Sequence, residues 1–587
     1  MNHRGILLMS LGLAACATST GRGSAGLSNT KTKGGFPTRE ALAEVRALDA
    51  TLEGNAVADV ESWEFVGPFP PDYGNTLHQD AQLWSKYLVQ LYQTSQGQAR
   101  PTPGMNCAAR ELARFLLIHE KAPSLALQRD LAARCKTLMT SFAYSTLTFD
   151  LPPEWDDHKV WDHAEQQVAQ MVRPAVRGPL ATGLTYHREG NRGMFIFAYA
   201  RRTIAIRSVT RSQGGYRVDG EFVGPIASQR TLATVGTYGA AECGIVVNAQ
   251  RPRFVVECPM AADDDAAWIE VATFEPGAVF GTMGAAIRVH PSGAAPAPYR
   301  RPELGQQVQA SSAAELTGRL LELANEVRQQ AGRAPLTIDL TQSSEASQFV
   351  VPYFASLLGR LDPMVAETVA LGLRAGWSVE DTVRYGQVGS AISVGVPNLA
   401  TLLAGIIDGP FGRMVLLDPE AKRVAIGPLF EASSDLYGVL LATYALFETP
   451  AADLRTQVLE SISAARASAG RQKPAMMAPN LEAAILKADE AIMTGASAED
   501  ALDALMRTTA NALKTGVGGY YVETTDLEQI QWPQGLITSD ARVVISVGHR
   551  QPDDEPWGRY VVIIAYEKTA PTTTTALPSA PSRLAAR

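Results

Sequence analysis

The spacing of apolar residues changes twice along this chain of 587 residues, and each change marks a different kind of folding unit. Residues 109–117 repeat apolar side chains at helical spacing, whereas residues 203–290 carry short apolar runs between Gly and Ser turns. Helical spacing returns after residue 305. The first pattern is typical of helices on a core, and the second of many short strands. The sequence therefore predicts an α+β multidomain protein with one all-β sandwich at residues 203–290.

Composition predicts the remaining boundaries. Residues 1–15 have a basic start, an apolar centre and a small-residue end, the pattern of a secretory signal peptide. Ser, Thr, Gly and Lys at residues 16–37 predict a flexible spacer. Residues 291–304 predict a Pro-rich linker, and residues 569–587 a disordered Thr- and Pro-rich tail. The folded part is thereby divided into residues 38–202, 203–290, 305–449 and 450–568.

The end of the apolar segment, Leu13-Ala14-Ala15-Cys16, resembles the lipobox of bacterial lipoproteins. The resemblance implies that Cys16 is acylated and becomes the first residue of the mature protein. Each buried acyl methylene contributes about 0.8 kcal/mol to membrane binding. Ala17 does not resemble an inner-membrane retention residue. We therefore expect a lipoprotein of the bacterial cell envelope, at the outer membrane, whose membrane contact is a lipid anchor on Cys16.

Four further cysteines form two pairs that are near in sequence, Cys107 with Cys135 and Cys243 with Cys258. An exported chain meets an oxidising compartment, so an even count favours disulfides over buried free thiols. Four cysteines allow three connectivities, and near pairing is the one we predict. Closing a loop of about 15 residues stabilises a fold by roughly 3 kcal/mol in the chain-entropy model. No Cys-x-x-Cys pair or His/Cys cluster in the sequence predicts a metal site, so no cofactor is expected.

Charge argues against one class of partner. The net charge is -8 and aromatic residues make up 7% of the chain. A nucleic-acid-binding surface needs clustered basic residues with aromatic residues among them, which this composition does not provide. The sequence therefore argues against nucleic acid as the main partner. Given the expected envelope location, an envelope protein or a polysaccharide is the expected class of partner.

Two separated motifs in residues 305–449 carry a family resemblance. The first runs from Leu320 to Arg328 with an Asn-x-x-Arg ending, and continues as Ala-Gly, Pro-Leu and Asp over residues 331–339. The second reads Phe411-Gly412-Arg413, then Leu416-Leu417-Asp418-Pro419, and leads into two strands. In this order the motifs resemble the opening and the C-terminal half of a CAP domain, the SCP-like fold of cysteine-rich secretory, antigen 5 and pathogenesis-related proteins. The resemblance implies an α-β-α sandwich for residues 305–449.

The same resemblance implies that the family's cleft is degenerate in this chain. CAP domains with an intact cleft carry two histidines and two acidic residues. Here Gly412, followed by Arg413, stands at the position of one histidine, and Tyr353 lies in the stretch that carries the other. Gly386 and Gln387 stand nearest to the family's Gly-Glu-Asn motif. These five residues are the predicted remnants of the cleft.

The loss of histidine is general in this part of the chain, since none occurs between His290 and His549. Without imidazole the cleft cannot bind a divalent transition metal in the usual way. It also lacks a group that titrates near neutral pH for acid/base catalysis. The sequence therefore predicts a pseudo-enzyme with the family's frame and no catalytic residues.

Residues 450–568 partly repeat the first motif. Leu459-Glu460, Arg466 and Ala469-Gly470-Arg471 follow the order of Leu321-Glu322, Arg328 and Ala331-Gly332-Arg333. Residues 38–202 also run from helices into a strand–loop–strand pattern. Internal repeats define architecture. We therefore expect two or three CAP-like units around one β-sandwich.

These patterns predict a non-enzymatic envelope lipoprotein that uses degenerate CAP-like modules and a β-sandwich in binding or structural roles. Two alternatives stay open. One is a lipid- or sterol-binding CAP protein, because that activity of the family does not require the histidines. The other is an envelope hydrolase that uses the polar and aromatic cluster Trp155–His163. His158 and His163 are five residues apart, which is a poor spacing for one helix face.

Overall fold

The computed structural model describes residues 7–9 and 35–568, apart from residues 53–56, 59, 71–72, 74–81, 138–142, 174–177, 247–249, 262–263, 277–280, 291–297, 303, 305–307, 358–359, 395–397, 432–435, 448–450, 472–475, 479–480, 539–541 and 552–554. The predicted lipidation site Cys16, the spacer as far as residue 34, and the tail at residues 569–587 lie outside the described residues. The chain divides into two compact units. The first comprises Met1–Glu380 and Tyr385–Ala445, and the second Asp381–Arg384 and Leu446–Arg587.

The first unit begins with a mixed sheet that has helices on both faces. Its elements are β1 (Leu7–Met9), α1 (Arg39–Arg46), β2 (Val57–Ala58), β3 (Ser62–Trp63), α2 (Ser85–Thr94), β4 (Ala99–Pro101), α3 (Pro103–His119), β5 (Ala122–Pro123), α4 (Leu125–Arg134), β6 (Ala143–Asp150), α5 (Asp157–Met171), β7 (Leu180–Glu189) and β8 (Arg192–Arg201). The sheet order is β1-β6-β8-β7-β4, with β4 parallel to β7. Residues of α3 and α4 pack with Ile196, and residues of α2 and α5 with Phe195 and Phe197. Strand β1 lies within the predicted signal peptide, whose removal stays a prediction.

Two antiparallel sheets follow, and we call them the two-sheet segment. Their strands are β9 (Ile204–Ser212), β10 (Gly215–Phe222), β11 (Ser228–Val235), β12 (Gly239–Glu242), β13 (Gly244–Ile245), β14 (Arg253–Pro259), β15 (Ala267–Phe274) and β16 (Thr282–Val289). The orders are β13-β14-β10-β9 and β12-β11-β15-β16. Val218 and Val256 from one sheet share a hydrophobic cluster with Ile269 and Ile287 from the other. The apolar faces of the two sheets therefore form one core.

The rest of the first unit forms a second mixed sheet with its helices. Its elements are β17 (Tyr299–Arg300), α6 (Ala313–Gln330), β18 (Thr337–Ile338), α7 (Leu340–Leu357), α8 (Pro363–Ala375), β19 (Val383–Val394), α9 (Leu399–Ile407), α10 (Pro410–Leu416), β20 (Ala421–Glu431) and β21 (Leu436–Leu446). The sheet order is β18-β20-β21-β19, with β18 parallel to β20. Strand β17, in the predicted linker, pairs with β3.

The second unit contains a third mixed sheet. Its elements are α11 (Ala451–Ser468), β22 (Met476–Met477), α12 (Glu482–Met493), α13 (Ala498–Leu513), β23 (Val517–Thr524), a 3-10 helix (Leu527–Gln529), α14 (Gln534–Ile537), β24 (Arg542–Arg550) and β25 (Arg559–Glu567). The order is β22-β24-β25-β23, with β22 parallel to β24. Both strands of the central hairpin, β24 and β25, are buried along most of their length.

The three mixed sheets share one strand order. In each, a short strand lies parallel to the first strand of a hairpin, and the second hairpin strand pairs with a longer strand from earlier in the chain. The three orders are β4-β7-β8-β6, β18-β20-β21-β19 and β22-β24-β25-β23. A helix precedes each short strand, and further helices separate it from the long strand. One topology is thus used three times in the described chain.

Both predicted disulfides are confirmed. Cys107 on α3 is bonded to Cys135, the residue that ends α4, and Cys243 is bonded to Cys258 on β14. All four cysteines are buried. Each bond therefore crosslinks neighbouring elements inside one core.

No single helix in the described ranges is long and apolar enough to cross a membrane. Helices α9 and α10 pass the criteria of length and composition together, but the pair is bent by 113°.

A buried arginine joins the two motifs of residues 305–449. Arg328 on α6 is fully buried, and its guanidinium donates hydrogen bonds to four main-chain carbonyl oxygens, those of Ala334, Leu416, Asp418 and Ala421. The four donor–acceptor distances lie between 2.6 and 3.2 Å. Since Leu416 and Asp418 belong to the second motif, the residues that carry the resemblance are in physical contact.

The second unit has a comparable contact. Arg466 on α11 is 1% exposed, and its Nε donates to the carbonyl oxygen of Leu536 on α14 at 3.1 Å. Arg466 was aligned with Arg328 in the sequence repeat. Both arginines therefore fix the short helix that precedes the central hairpin of their sheet.

We expect Arg328→Met to destabilise the first unit by about 3 kcal/mol or more, because buried carbonyl oxygens that lose their donor each cost roughly 1–3 kcal/mol. Arg319→Met is the matched control on the same helix, since the Arg319 side chain is 49% exposed and pairs with Glu315. The control should cost less than about 1 kcal/mol. Urea unfolding of both variants checks this, and equal losses would contradict the assigned role of Arg328.

Candidate functional site

Backbone geometry closes the position at which the family resemblance places a histidine. Gly412 lies on α10, directly after the 113° bend from α9. A Cβ atom on Gly412 would lie 1.6 Å from the carbonyl oxygen of Ile406 in the last turn of α9. That separation is far below any non-bonded contact, so no side chain fits without moving the backbone. Gly412 is therefore required by the bend.

The next residue ties α10 to the two-sheet segment. Nη1 of Arg413 donates to the carbonyl oxygens of Gly236 and Gly239 at 2.9 and 2.8 Å, and its Nε donates to that of Ile407 at 3.0 Å. Gly236 follows β11 and Gly239 begins β12, so the two residues bound the turn between these strands. Arg413 thus acts as a three-way connection among α9, α10 and this turn.

An ion-pair network around the buried Glu270 carboxylate lies beside this contact, and we call it the junction: Arg129 on α4, Glu270 on β15 and Asp408 at the end of α9. Arg129 Nη2 lies 2.8 Å from Glu270 Oε1, and Arg129 Nη1 donates to Asp408 Oδ2 at 2.8 Å. The guanidinium of Arg129 also lies 3.9 Å from the ring centre of Trp268. The N–H of Phe411 donates to Glu270 Oε2 at 3.4 Å. The junction therefore joins three segments of the first unit.

Desolvation is the largest influence on the pKa of Glu270. Glu270 is 6% exposed. Burial raises the pKa of the Glu270 carboxyl, while the Arg129 guanidinium and the Phe411 N–H act in the opposite direction. Asp408 adds a like charge and raises the pKa further. The carboxylate form of Glu270 is held in place by its partners at a cost in solvation free energy.

The other predicted cleft residues are each engaged elsewhere in the same sheet. The hydroxyl of buried Tyr353 lies 3.0 Å from Ser390 Oγ on β19. Gly386 lies so close to α8 that a Cβ would be 2.2 Å from the carbonyl oxygen of Arg374. Gln387 Nε2 donates to Asp418 Oδ2 at 2.6 Å. Tyr353 and Gly386 are buried and Gln387 is half-buried, and each of the three is engaged in packing or in a hydrogen bond.

The cluster Trp155–His163 lies at the start of α5. Asp156 caps the helix by accepting a hydrogen bond from the Lys159 N–H at 2.9 Å. Trp161 is buried, whereas His158 and His163 are exposed. Within the part of the chain that the structure describes, no group of three or more His, Cys, Asp or Glu side chains could hold a metal ion.

Comparisons with known proteins include a weak structural similarity. No protein-family model matches this chain, and no curated protein matches it. Among solved structures, a cysteine-rich secretory protein from Staphylococcus aureus subsp. aureus Mu50 matches 41% of this chain and 85% of its own, with 12% identity and a TM-score of 0.18. The neighbour bears the name of the family that the motifs resemble. A TM-score of this size does not establish a shared fold.

Sequence reasoning did not single out Glu270 or Arg129. One signal was available, because Glu270 is the only charged residue in the otherwise apolar and Thr-containing strand Ala267–Phe274. A lone carboxylate in such a strand indicates a buried charge that needs a partner. The partner itself could not be named, since Arg129 is distant in sequence.

The tight bend gives a sharp prediction for Gly412→Ala. We expect a loss of about 3 kcal/mol or more in unfolding free energy, because relieving the contact with the Ile406 carbonyl requires a backbone shift. Gly405→Ala on α9 is the matched control, since a Cβ there meets no atom within 4 Å. Removing a helical glycine should stabilise that variant by up to about 1 kcal/mol. Thermal unfolding distinguishes the two, and a Gly412→Ala protein as stable as wild type would contradict the assigned bend.

Glu270 should make stability depend on pH in an unusual direction. Since its pKa is raised in the folded protein, the folded state binds the proton more readily than the unfolded state. Its contribution is therefore fully present below the unfolded pKa of about 4.3 and is lost as the pH rises through the folded value. Relative to Glu270→Gln, wild type should gain stability as the pH falls from about 7 to about 4.

Glu315→Gln provides a control of opposite sign. Hydrogen bonds from Ser311 and from Arg319 lower the pKa of Glu315 to about 2. Its contribution is present above the unfolded pKa and is lost on acidification. Urea unfolding of each variant and of wild type over the same pH range measures both trends. Parallel trends for the two glutamates would refute the assignment of Glu270 as a desolvated carboxyl.

Proposed function

We propose that this chain is a non-enzymatic lipoprotein of the bacterial cell envelope, whose folded modules serve binding or structural roles. The observation that carries the proposal is the closed position of Gly412. A Cβ there would lie 1.6 Å from a main-chain oxygen, so this frame could not regain the histidine of the CAP cleft by a single substitution. A catalytic or metal-binding cleft of the family's kind would need that side chain.

The contacts around Gly412 support a scaffold role. The Arg413 guanidinium donates hydrogen bonds to carbonyl oxygens at the β11–β12 turn. In the junction, Asp408 forms an ion pair with Arg129. Side chains next to the former cleft position are thereby committed to joining segments. We infer that the frame was retained for its shape and for the surfaces it presents.

The finer architecture belongs to the same proposal. The repeated strand order of the three mixed sheets supports CAP-like α-β-α units at residues 38–202, 305–449 and 450–568. The common core of the two-sheet segment supports a β-sandwich at residues 203–290. Under this proposal the modules are copies of one frame with one inserted sandwich.

The envelope location rests on the lipobox-like residues ending in Cys16 and on the two disulfides, which are typical of oxidising compartments. If the signal peptide with β1 is removed, as this proposal implies, α1 is the first helix of the mature chain. Trp377 Nε1 donates to the carbonyl oxygen of Pro37 at 3.2 Å, and Arg46 on α1 lies 3.0 Å from Glu345 on α7. We therefore propose that the spacer from Cys16 joins the folded protein at the surface formed by α7 and α8. Residues 305–449 would then be the part of the fold that contacts the end of the spacer.

Cys16→Ser tests the location. We expect the wild-type protein to sediment with membranes and to partition into detergent, and the variant to become soluble, because the thiol is the acylation site. The thermal unfolding of the two should be alike, which separates loss of the anchor from misfolding. Membrane fractionation of Cys16→Ser equal to that of wild type would contradict the lipoprotein assignment.

A further inference from the structure

The outer edge of the first mixed sheet holds a strand from the predicted signal peptide. Strand β1 (Leu7–Met9) pairs antiparallel with Ala143–Ser145 at the start of β6. The sheet order ends at β1, so the described structure has no further strand on that side of β6. If the signal peptide is removed, as proposed above, β6 becomes an outer strand of this sheet. We call its outer side, along Ala143–Asp150, the β6 edge.

The main-chain hydrogen bonds of β6 alternate between its two sides. The Leu151 N–H donates to the carbonyl oxygen of Asn191 at 2.7 Å, and these two residues continue the register in which Asp150 lies opposite Arg192 on β8. In an antiparallel pair, opposite residues that exchange hydrogen bonds alternate with opposite residues that do not. Odd-numbered residues of β6 therefore bond to β8, and the even-numbered residues from Tyr144 to Asp150 direct their N–H and C=O groups to the β6 edge.

The composition of β6 favours pairing with a further strand. Half of its eight residues are aromatic or β-branched, the types that favour strands, and none is Pro, Gly, Lys or Arg. Charged residues and Pro commonly protect outer strands against unwanted pairing, and Gly weakens a strand. The other described outer strands of eight or more residues each contain Gly or Arg: Arg207 and Arg211 in β9, Gly284 and Arg288 in β16, Gly386 and Gly389 in β19, and Gly518 and Gly519 in β23. The β6 edge lacks these features.

Apolar side chains along the β6 edge are incompletely covered. Leu147 and Phe149 pack against the cluster formed with α2 and α5, but both are only half-buried. On the other face of the sheet, Thr148 is exposed and uncharged. A strand placed beside β6 would cover the open sides of Leu147 and Phe149, and cross-strand contacts of this kind stabilise sheets.

We propose that the mature protein pairs with a second copy of itself through the β6 edge, so that the two first-unit sheets form one continuous antiparallel sheet. The inference rests on the removal of the signal peptide, which is part of the proposed function. A two-fold axis perpendicular to the sheet at Leu147 places this residue opposite its copy, and Tyr144 opposite Asp150 of the second copy. The even-numbered residues of the two strands then lie opposite one another, as hydrogen-bonded pairs require.

Charge is compatible with this self-pairing. Asp150 is the charged residue of β6. In the proposed register the two Asp150 side chains lie at opposite ends of the contact, about 20 Å apart at about 3.4 Å per residue, and repulsion over that distance is screened by salt. Pairing of two copies through β9 would instead bring Arg207 and Arg211 of both copies along one contact.

The proposed lipid anchor favours a contact between copies. One pair of strands forms a small interface, and small interfaces bind weakly in solution. Two copies tethered in the same membrane meet at a raised effective concentration, which increases the paired fraction without any new contact. We therefore expect the pairing to be populated at the membrane, and the experiments below use envelopes with the lipoprotein in place.

Cysteine cross-linking in intact envelopes tests the register. We expect Leu147→Cys to form a disulfide-linked dimer on addition of copper phenanthroline and oxygen. Opposite residues of a non-hydrogen-bonded pair have Cα atoms about 4.5 Å apart, which lies within the range of a disulfide. Val209→Cys is the matched control, since Val209 is also a half-buried aliphatic residue of an outer strand. It should remain monomeric on non-reducing electrophoresis.

Thr148→Pro tests the hydrogen bonds of the β6 edge. Because the Thr148 N–H is directed outward, proline there removes a donor from the contact and none from the pairing with β8, and proline is tolerated in outer strands at such positions. Combined with Leu147→Cys, it should lower the cross-linked fraction about ten-fold, since each copy loses one main-chain hydrogen bond. Thr148→Ala keeps the N–H and should leave cross-linking unchanged. Equal thermal unfolding of the purified variants separates loss of the contact from misfolding.

Equal cross-linking of Leu147→Cys and Val209→Cys would overturn the proposal, as would a dimer that persists with Thr148→Pro. A disulfide-linked product of Leu147→Cys with a different mass would place another protein on the β6 edge and overturn pairing with a second copy. The intact mass of the purified protein separates failure of the pairing from failure of the proposed function. A chain that still begins at Met1 contradicts both, whereas a monomeric chain that begins at an acylated Cys16 contradicts the pairing alone.

Discussion

The buried Glu270 carboxylate is the interaction on which the arrangement of the first unit depends. Removing a carboxylate from water costs several kcal/mol unless charges and hydrogen-bond donors replace the solvent. Here the replacement comes from Arg129 on one segment and from the Phe411 N–H on another. Arg129 also holds Asp408. Separating α4 from β15 would leave the buried Glu270 carboxylate without its guanidinium. Separating α9 and α10 would remove the Phe411 N–H from Glu270 and Asp408 from Arg129, so the junction stabilises the three segments together.

The junction also explains why residue 412 is a glycine in a closely packed position. To bring Asp408 to Arg129 and the Phe411 N–H to Glu270, the chain must turn sharply between α9 and α10. The turn places the Ile406 carbonyl against Gly412, where only hydrogen is small enough. Arg413 then completes the contact from the other side. A protruding imidazole at this position and a closed junction are sterically incompatible.

Some of the contacts that hold the first unit together could be predicted from the sequence. The near pairing of Cys107 with Cys135 and of Cys243 with Cys258 followed from spacing, because strands and helices adjacent in the chain are usually adjacent in space. The junction could not be predicted, since Arg129 and Asp408 come from distant segments and no periodic pattern links them. The packing of α1 against α7, through Arg46 and Glu345, was missed for the same reason. The spacing of residues along the chain predicts helices, strands and contacts between neighbouring elements. Ion pairs between distant segments depend on how those segments pack, which spacing does not predict.

The three mixed sheets are also similar in how a helix contacts the first strand of the central hairpin, although the residue types at these contacts differ. In two sheets, a glycine of the first hairpin strand meets helix backbone: a Cβ on Gly183 would lie 2.5 Å from Met105, and one on Gly427 would lie 2.8 Å from Ala346. In the same two sheets a polar side chain of that helix accepts a strand N–H, Asn106 from Leu184 and Ser343 from Ile426, while Asp489 accepts from Val547 in the third. Asn, Ser and Asp are different residue types, but the side-chain oxygen of each accepts a hydrogen bond from a strand N–H. What is repeated is therefore a helix-on-hairpin frame, in which different side chains make equivalent contacts with the strand backbone.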